Sequence, residues 1–177
     1  KDLLRERDAI VVHNPRSNMN NAVGRFDLDG MLHRGILTGL GTDGIGSNMP
    51  GELFAAGLLQ KHSRHDPLAG SFDQLWRLLH ESNPAIVERA LGARVGRLES
   101  GYAADVVLLD YVPPTPLRPE NALGHMLFGA AAHTLRVRDV MIAGRWVLRD
   151  GEFVDLDEER IYAHGREAAD ALWRKIG

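Results

Sequence analysis

The residues able to do chemistry gather in two short strings. The first, Gly39-Leu40-Gly41-Thr42-Asp43-Gly44, directly follows the apolar run Gly35-Ile36-Leu37-Thr38. A short strand of buried type here delivers one carboxylate, Asp43, at its C-terminal tip, with glycines on both sides leaving the backbone bare. An α/β barrel presents catalytic and metal-binding groups at its mouth in this way. The second string is another apolar strand, Ala9-Ile10-Val11-Val12, which ends in His13 and Asn14 and runs into Pro15-Arg16-Ser17-Asn18. A carboxylate on a rigid strand tip can bind a divalent ion and accept a proton from the attacking water. The ordinary alternative for Asp43 is a turn aspartate, since Thr-Asp-Gly is common turn chemistry. One Asp and one His do not complete a site.

The remaining polar candidates divide in the same manner. His13 reads as a ligand, a proton shuttle or a substrate hydrogen-bond partner, or else as a strand-end histidine satisfied by neighbouring backbone. Asn14, Ser17 and Asn18 offer amide and hydroxyl groups that hold a polar substrate or fix the loop. Ser17 reads as loop architecture. His62 and His65 are spaced i, i+3, but Ser63-Arg64 and Asp66-Pro67 point to a helix end, where histidine complements the dipole. Glu52 reads as negative charge at a helix N-terminus, close to the Asp43 loop. His33, His80, His125, His133 and His164 are isolated and read as surface or packing residues. There is no His-x-His pair, gapped glycine phosphate loop or nucleophile elbow.

Composition narrows the field. A chain of 177 residues fits one domain or parts of two, and 44% hydrophobic with 25% charged residues is the balance of a soluble globular protein. A net charge of -3 with scattered Lys and Arg gives no electrostatic case for nucleic acid. The apolar runs are too short for a membrane span, and no signal-peptide pattern opens the chain. With no cysteine, disulfides and thiolate zinc sites are excluded, so a metal must be held by His, Asp or Glu. The chain reads as cytoplasmic. Lys1 to Arg7 looks like the tail of an amphipathic helix entering a strand, so the sequence reads as starting in mid-fold.

Two regions must carry these residues. Up to about residue 92, strands at 8–13 and 36–40 alternate with helices at about 27–34, 51–62, 72–81 and 83–91. The turn-rich segment 14–25 reads as a loop. Asp27 caps the first helix, Ser71 with Gln74 forms a capping box, and Asn83-Pro84 starts the last helix, which ends at Gly92. Strand, helix, strand, helix argues for a parallel sheet. From 93 to 177 the pattern changes: a buried-type strand at 104–110, a proline-rich loop at 113–119, short antiparallel strands with Gly turns from 137 to 154, and a closing helix at about 157–176.

Three strings together resemble the amidohydrolase superfamily, in its cytosine-deaminase and chlorohydrolase-like branch. They are His13-Asn14-Pro15-Arg16-Ser17-Asn18-Met19-Asn20-Asn21-Ala22-Val23-Gly24, the Asp43 string, and the segment Gly96 to Asp110 (GRLESGYAADVVLLD). The segment Asp110 to Leu117 (DYVPPTPL) and the ending look nearest to SsnA-type aminohydrolases, whereas Ile45 to Pro50 (IGSNMP) resembles the general deaminase pattern. The resemblance covers nearly the whole chain. It implies α/β architecture: residues 1–92 would be the strand-seven and strand-eight end of a distorted (β/α)8 barrel. Residues 93–177 would be the C-terminal share of a small β-sandwich with its helix.

It further implies that Asp43 is the strand-eight aspartate that binds the metal and takes a proton from the attacking water. His13 and Asn18 would lie near the substrate. The other ligands of the ion, zinc or iron and one per site, would lie outside this chain. The expected reaction is hydrolysis of a C–N, or C–Cl, bond of a small heterocyclic or amidine-like molecule, with a homo-oligomer as a further expectation. Two rivals stand beside it: a non-catalytic interaction or dimerisation module, and a cyclic-amide hydrolase of the same superfamily.

Overall fold

The computed structural model describes residues 1–130 and 136–176; His133 lies outside the described residues. Strands β1 (Val11–His13) and β2 (Thr38–Leu40) pair in parallel, with Val11 opposite Thr38 and His13 opposite Leu40. This register puts both C-terminal tips at the same end of the sheet. Every residue of β2 is buried, as an apolar strand covered on both faces requires.

Helix α1 (Asp2–Glu6) precedes β1, and two short helices lie between the strands. One was unforeseen: α2 (Pro15–Asn20) occupies the segment read as loop, because Pro15 sits at the first helical turn, where its missing N–H is harmless. Helix α3 (Leu28–Leu32) carries the expected cap, with Asp27 Oδ1 accepting the Gly30 N–H at 3.1 Å. After β2 comes α4 (Met49–Arg64), capped by Asn48 and closed at His65 with a left-handed φ of 53°. Helix α5 (Phe72–Trp76) opens with the full capping box of Ser71 and Gln74.

The expected fresh start at Asn83 does not occur. A π-turn, Arg77–Ser82, carries α5 straight into α6 (Asn83–Leu91). The wide turn ends two residues before Pro84, whose missing N–H removes one rung of the helical ladder.

The core joins β2, α3, α4, α5 and the π-turn through Leu28, Leu40, Leu53, Ala56, Leu75 and Leu78, with Leu123 and Leu127 from a later segment. Each such leucine stabilises by about 1.5–3 kcal/mol on burial. The later segment is α7 (Ala122–Gly124) and a second π-turn from His125. Lys1–Ala103 and the chain from Tyr111 therefore form one compact unit.

The second unit, Ala104–Asp110 with the chain from Arg136, is an antiparallel sheet in the order β3 (Val106–Asp110), β4 (Arg136–Ile142), β5 (Arg145–Arg149), β6 (Glu152–Phe153). Both hairpins turn on two residues of positive φ, Ala143-Gly144 and Asp150-Gly151, which matches the right-handed strand twist. Contrary to expectation β3 is not buried: Val107, Leu108 and Leu109 are exposed. Apolar composition calls for a covering layer, and the described residues do not supply one. Helix α8 (Glu158–Ile176) likewise has no buried residue.

Candidate functional site

Asp43 lies three residues beyond Leu40, opening a 3-10 turn, Asp43–Ile45, with a left-handed φ of 51°. That conformation costs a non-glycine residue about 1–2 kcal/mol, so the turn is held by specific bonds. Asp43 Oδ1 accepts the Gly44 N–H at 2.7 Å, and Oδ2 accepts the hydroxyl of Ser17 at 2.8 Å. Ser17 is buried in α2, just beyond the tip of β1, and its oxygen also accepts from Asn21 Nδ2 at 3.3 Å. The two strand tips are thus joined by a side-chain bridge, and the carboxylate remains exposed to the open end of the sheet. Ser17, read from sequence as loop architecture, is what orients Asp43.

Asn18 follows Ser17 in α2, half-buried, and its amide makes no hydrogen bond among the described residues. His13 is almost fully buried and stacks on Phe26 with ring centroids 4.3 Å apart. Among the described residues neither ring nitrogen has a partner, so the reading in which neighbouring backbone satisfies it is corrected. Burial without a partner disfavours the imidazolium and pushes the His13 pKa down to about 4.

This has a pH consequence. An unfolded His13 titrates near 6.5 and the folded one near 4, so between these values the unfolded chain binds the extra proton. Stability is complete above about pH 6.5 and falls as pH drops through the window, by up to about 3 kcal/mol. Denaturant unfolding at pH 7 and pH 4.5 should show this decline, and His13→Phe should shrink it. An equal decline in that variant would assign it to other groups.

Glu52 lies in the first turn of α4, where its charge complements the helix dipole as expected. It is fully buried, and Arg16 grips both its oxygens: Nε to Oε1 at 2.6 Å and the backbone N–H to Oε2 at 3.0 Å. The pair ties α2 to α4. The one available signal was the neighbouring Leu53, which places position 52 beside the apolar side of its helix.

His62 and His65 sit at the end of α4 with rings 6.4 Å apart, as a helix-end reading requires. Among the described residues no group of three or more His, Cys, Asp or Glu stands close enough to hold a metal ion. Asp43 has the chemistry of a single ligand, and a catalytic zinc site takes about three protein ligands. The donor set present fits one corner of such a site.

The sequence model of the amidohydrolase family matches residues 1–147. The chain belongs to the amidohydrolase family. Among its curated relatives in that family, the 5'-deoxyadenosine deaminase of Methanopyrus kandleri is 33% identical over 175 residues, 97% of this chain and 39% of the relative. The 5-methylthioadenosine/S-adenosylhomocysteine deaminase of Syntrophobacter fumaroxidans is 31% identical over 95% of this chain and 38% of its own length. Among solved amidohydrolase structures, an adenosine deaminase from Xanthomonas campestris with bound zinc superposes with a TM-score of 0.78 at 30% identity, over 98% of this chain and 39% of that one. An atrazine chlorohydrolase from Arthrobacter aurescens, complexed with zinc, shares the fold with a TM-score of 0.66 at 23% identity, over 90% and 36%. The chain therefore spans about two fifths of the length of these relatives. The mixed α/β architecture is that of this family's fold. No described helix is long and apolar enough to cross a membrane.

Proposed function

We propose that this chain carries the strand-seven and strand-eight end of an amidohydrolase barrel, together with part of its β-sandwich. The enzyme is a metal-dependent aminohydrolase acting in the cytoplasm. Residues 1–92 are the barrel share and 93–177 the sandwich share with its closing helix, the segment from Tyr111 returning to the barrel side. The reaction is hydrolysis of a carbon–nitrogen bond other than a peptide bond, on a heterocyclic carbon of a small molecule. The names of the relatives favour the amino group of an adenosine-type nucleoside, with a C–Cl bond the second choice.

Asp43 serves as one ligand of a divalent ion, zinc or iron, and accepts a proton from the attacking water. The bound ion supplies Lewis acidity that makes water a nucleophile near neutral pH. Ser17 holds Oδ2 and the Gly44 N–H holds Oδ1, so the carboxylate keeps its direction while each oxygen retains a lone pair for the ion or the proton. Asn18 offers an unengaged amide to the substrate, and His13 brings a neutral imidazole whose nitrogens await partners. The observation that carries this reading is the Ser17–Asp43 bridge across two parallel strand tips.

The test is deamination of adenosine, 5'-deoxyadenosine and 5-methylthioadenosine with zinc. It uses the protein in the form that carries the remaining metal ligands. Ammonia release that chelators abolish is the expected result, and no turnover of any of the three overturns the nucleoside assignment.

A second reading, association through uncovered apolar surface, is favoured by Val107, Leu108 and Leu109 on β3 and by Ile161, Leu172 and Trp173 on α8, all exposed. Light scattering checks it: a monomer at all concentrations counts against a homo-oligomer.

A further inference from the structure

The glycines of Gly39-Leu40-Gly41 mark a clasp on the last residue of β2. Neither has a left-handed φ, so conformational freedom does not explain them. Close approach does. A Cβ on Gly41 would stand 2.5 Å from Asn14 Oδ1 and 2.7 Å from Val12 Cγ1, both on the β1 side. On Gly39 it would collide with Asn83 Oδ1 and lie 2.5 Å from Ile86 Cδ1, both of α6. The motif is therefore bare on one glycine for the neighbouring strand and on the other for a helix that begins 43 residues after Leu40.

Asn83 uses that space. The bonds from Val11 N–H to Leu37 O and from Gly41 N–H to His13 O, each 2.9 Å, mark residues 37, 39 and 41 as those whose peptide groups face β1. Strand alternation sends the backbone groups of Leu40 to the opposite edge. There the Leu40 N–H donates to Asn83 Oδ1 at 2.8 Å, and Asn83 Nδ2 donates to the Leu40 carbonyl at 3.0 Å. One side-chain amide closes both groups of a buried residue that water does not reach. Pro84, next in sequence, narrows the backbone at the root of the clasp.

We propose that Asn83 is a positioning residue for Asp43. It pins the end of β2 from the edge opposite β1, so that the turn beginning three residues later projects its carboxylate in one direction. Ser17 steers the side chain; Asn83 fixes the strand from which it springs. The proposal rests on the reading of Asp43 as the working carboxylate, and the experiment separates the two.

Amide exchange is followed in the full chain by NMR, and zinc affinity by chelator competition in the catalytically competent protein, both normalised to the folded fraction. In Asn83→Ala, Leu40 exchange should rise about 100-fold. Zinc affinity and kcat should each fall about tenfold, with KM little changed. Asn83→Asp, whose carboxylate still accepts from the Leu40 N–H, should restore part of the exchange protection and part of the affinity. It also serves if the alanine variant fails to fold.

A purely architectural role would lower the melting temperature while leaving zinc affinity and kcat per folded molecule intact, and that outcome overturns the proposal. If Asp43→Asn abolishes turnover while Asn83→Ala keeps zinc affinity and kcat, the positioning role fails and the reading of Asp43 stands. If Asp43→Asn is neutral, both fail.

Discussion

Asp43→Asn should cut turnover by about a thousandfold or more while leaving the fold intact. The amide has nearly the shape of the carboxylate: its oxygen can still accept from the Gly44 N–H, while its nitrogen meets the Ser17 hydroxyl as a donor in place of an acceptor. It lacks the charge that an ion ligand brings, and it is a poor proton acceptor. General-base catalysis alone contributes about 10²–10⁴-fold, and loss of a ligand adds to that. Because Asp43 is exposed, stability should change by about 0.5 kcal/mol or less. The measurement is kcat together with chemical denaturation of the same variant. Activity at the parent level would remove Asp43 from the mechanism.

Ser17→Ala is the graded companion. It leaves the carboxylate charged but without its orienting donor, so its loss should be about tenfold, in proportion to one hydrogen bond to a charged group. A drop equal to that of Asp43→Asn would instead assign the hydroxyl a direct chemical role.

Glu52→Ala should have the largest effect on stability, a loss of about 3–5 kcal/mol. The carboxylate is fully buried and is gripped by the side chain and the backbone N–H of Arg16. Removing it leaves a guanidinium whose Nη2 is already buried without a partner among the described residues, and a backbone N–H that has lost its acceptor. Arg16→Ala should cost somewhat less, since that side chain is about a third exposed (30%), although the buried carboxylate is then left without its cation. The double variant Arg16→Met, Glu52→Leu should recover most of the loss, because two apolar side chains of similar size avoid the desolvation of two charges. Equilibrium denaturation of the parent, Arg16→Met, Glu52→Leu and their combination closes the cycle. Strict additivity of the two single changes would mean that the pair is not coupled.

The same pair explains why part of the site could not be read from sequence. Arg16 and Glu52 stand 36 residues apart, and helix periodicity marks residue 52 only as lying near an apolar neighbour. Which cation meets it depends on how α2 docks on α4. Asn83 is a similar case: its dipeptide with Pro84 signals a helix start, yet its amide serves a strand edge that only packing brings near. Ser17 was legible as a hydroxyl in a polar segment, but its bond to Asp43 depends on the parallel register of β1 and β2.

What sequence alone determined is local. The caps at Asp27 and at Ser71 with Gln74, the Gly turns of the hairpins, the helix end at His65 and the apolar strands leading to His13 and Asp43 follow from short-range sterics and hydrogen bonding. Those forces act within a few residues, so they leave their marks in adjacent letters. Tertiary structure decided the rest: that 14–25 contains a helix, that the helix from Phe72 runs through Pro84 without a break, that Glu52 is buried, and that His13 has no partner among the described residues. Each depends on which surfaces meet across long stretches of chain, and burial free energy is non-directional, so an apolar or polar letter does not name its neighbour.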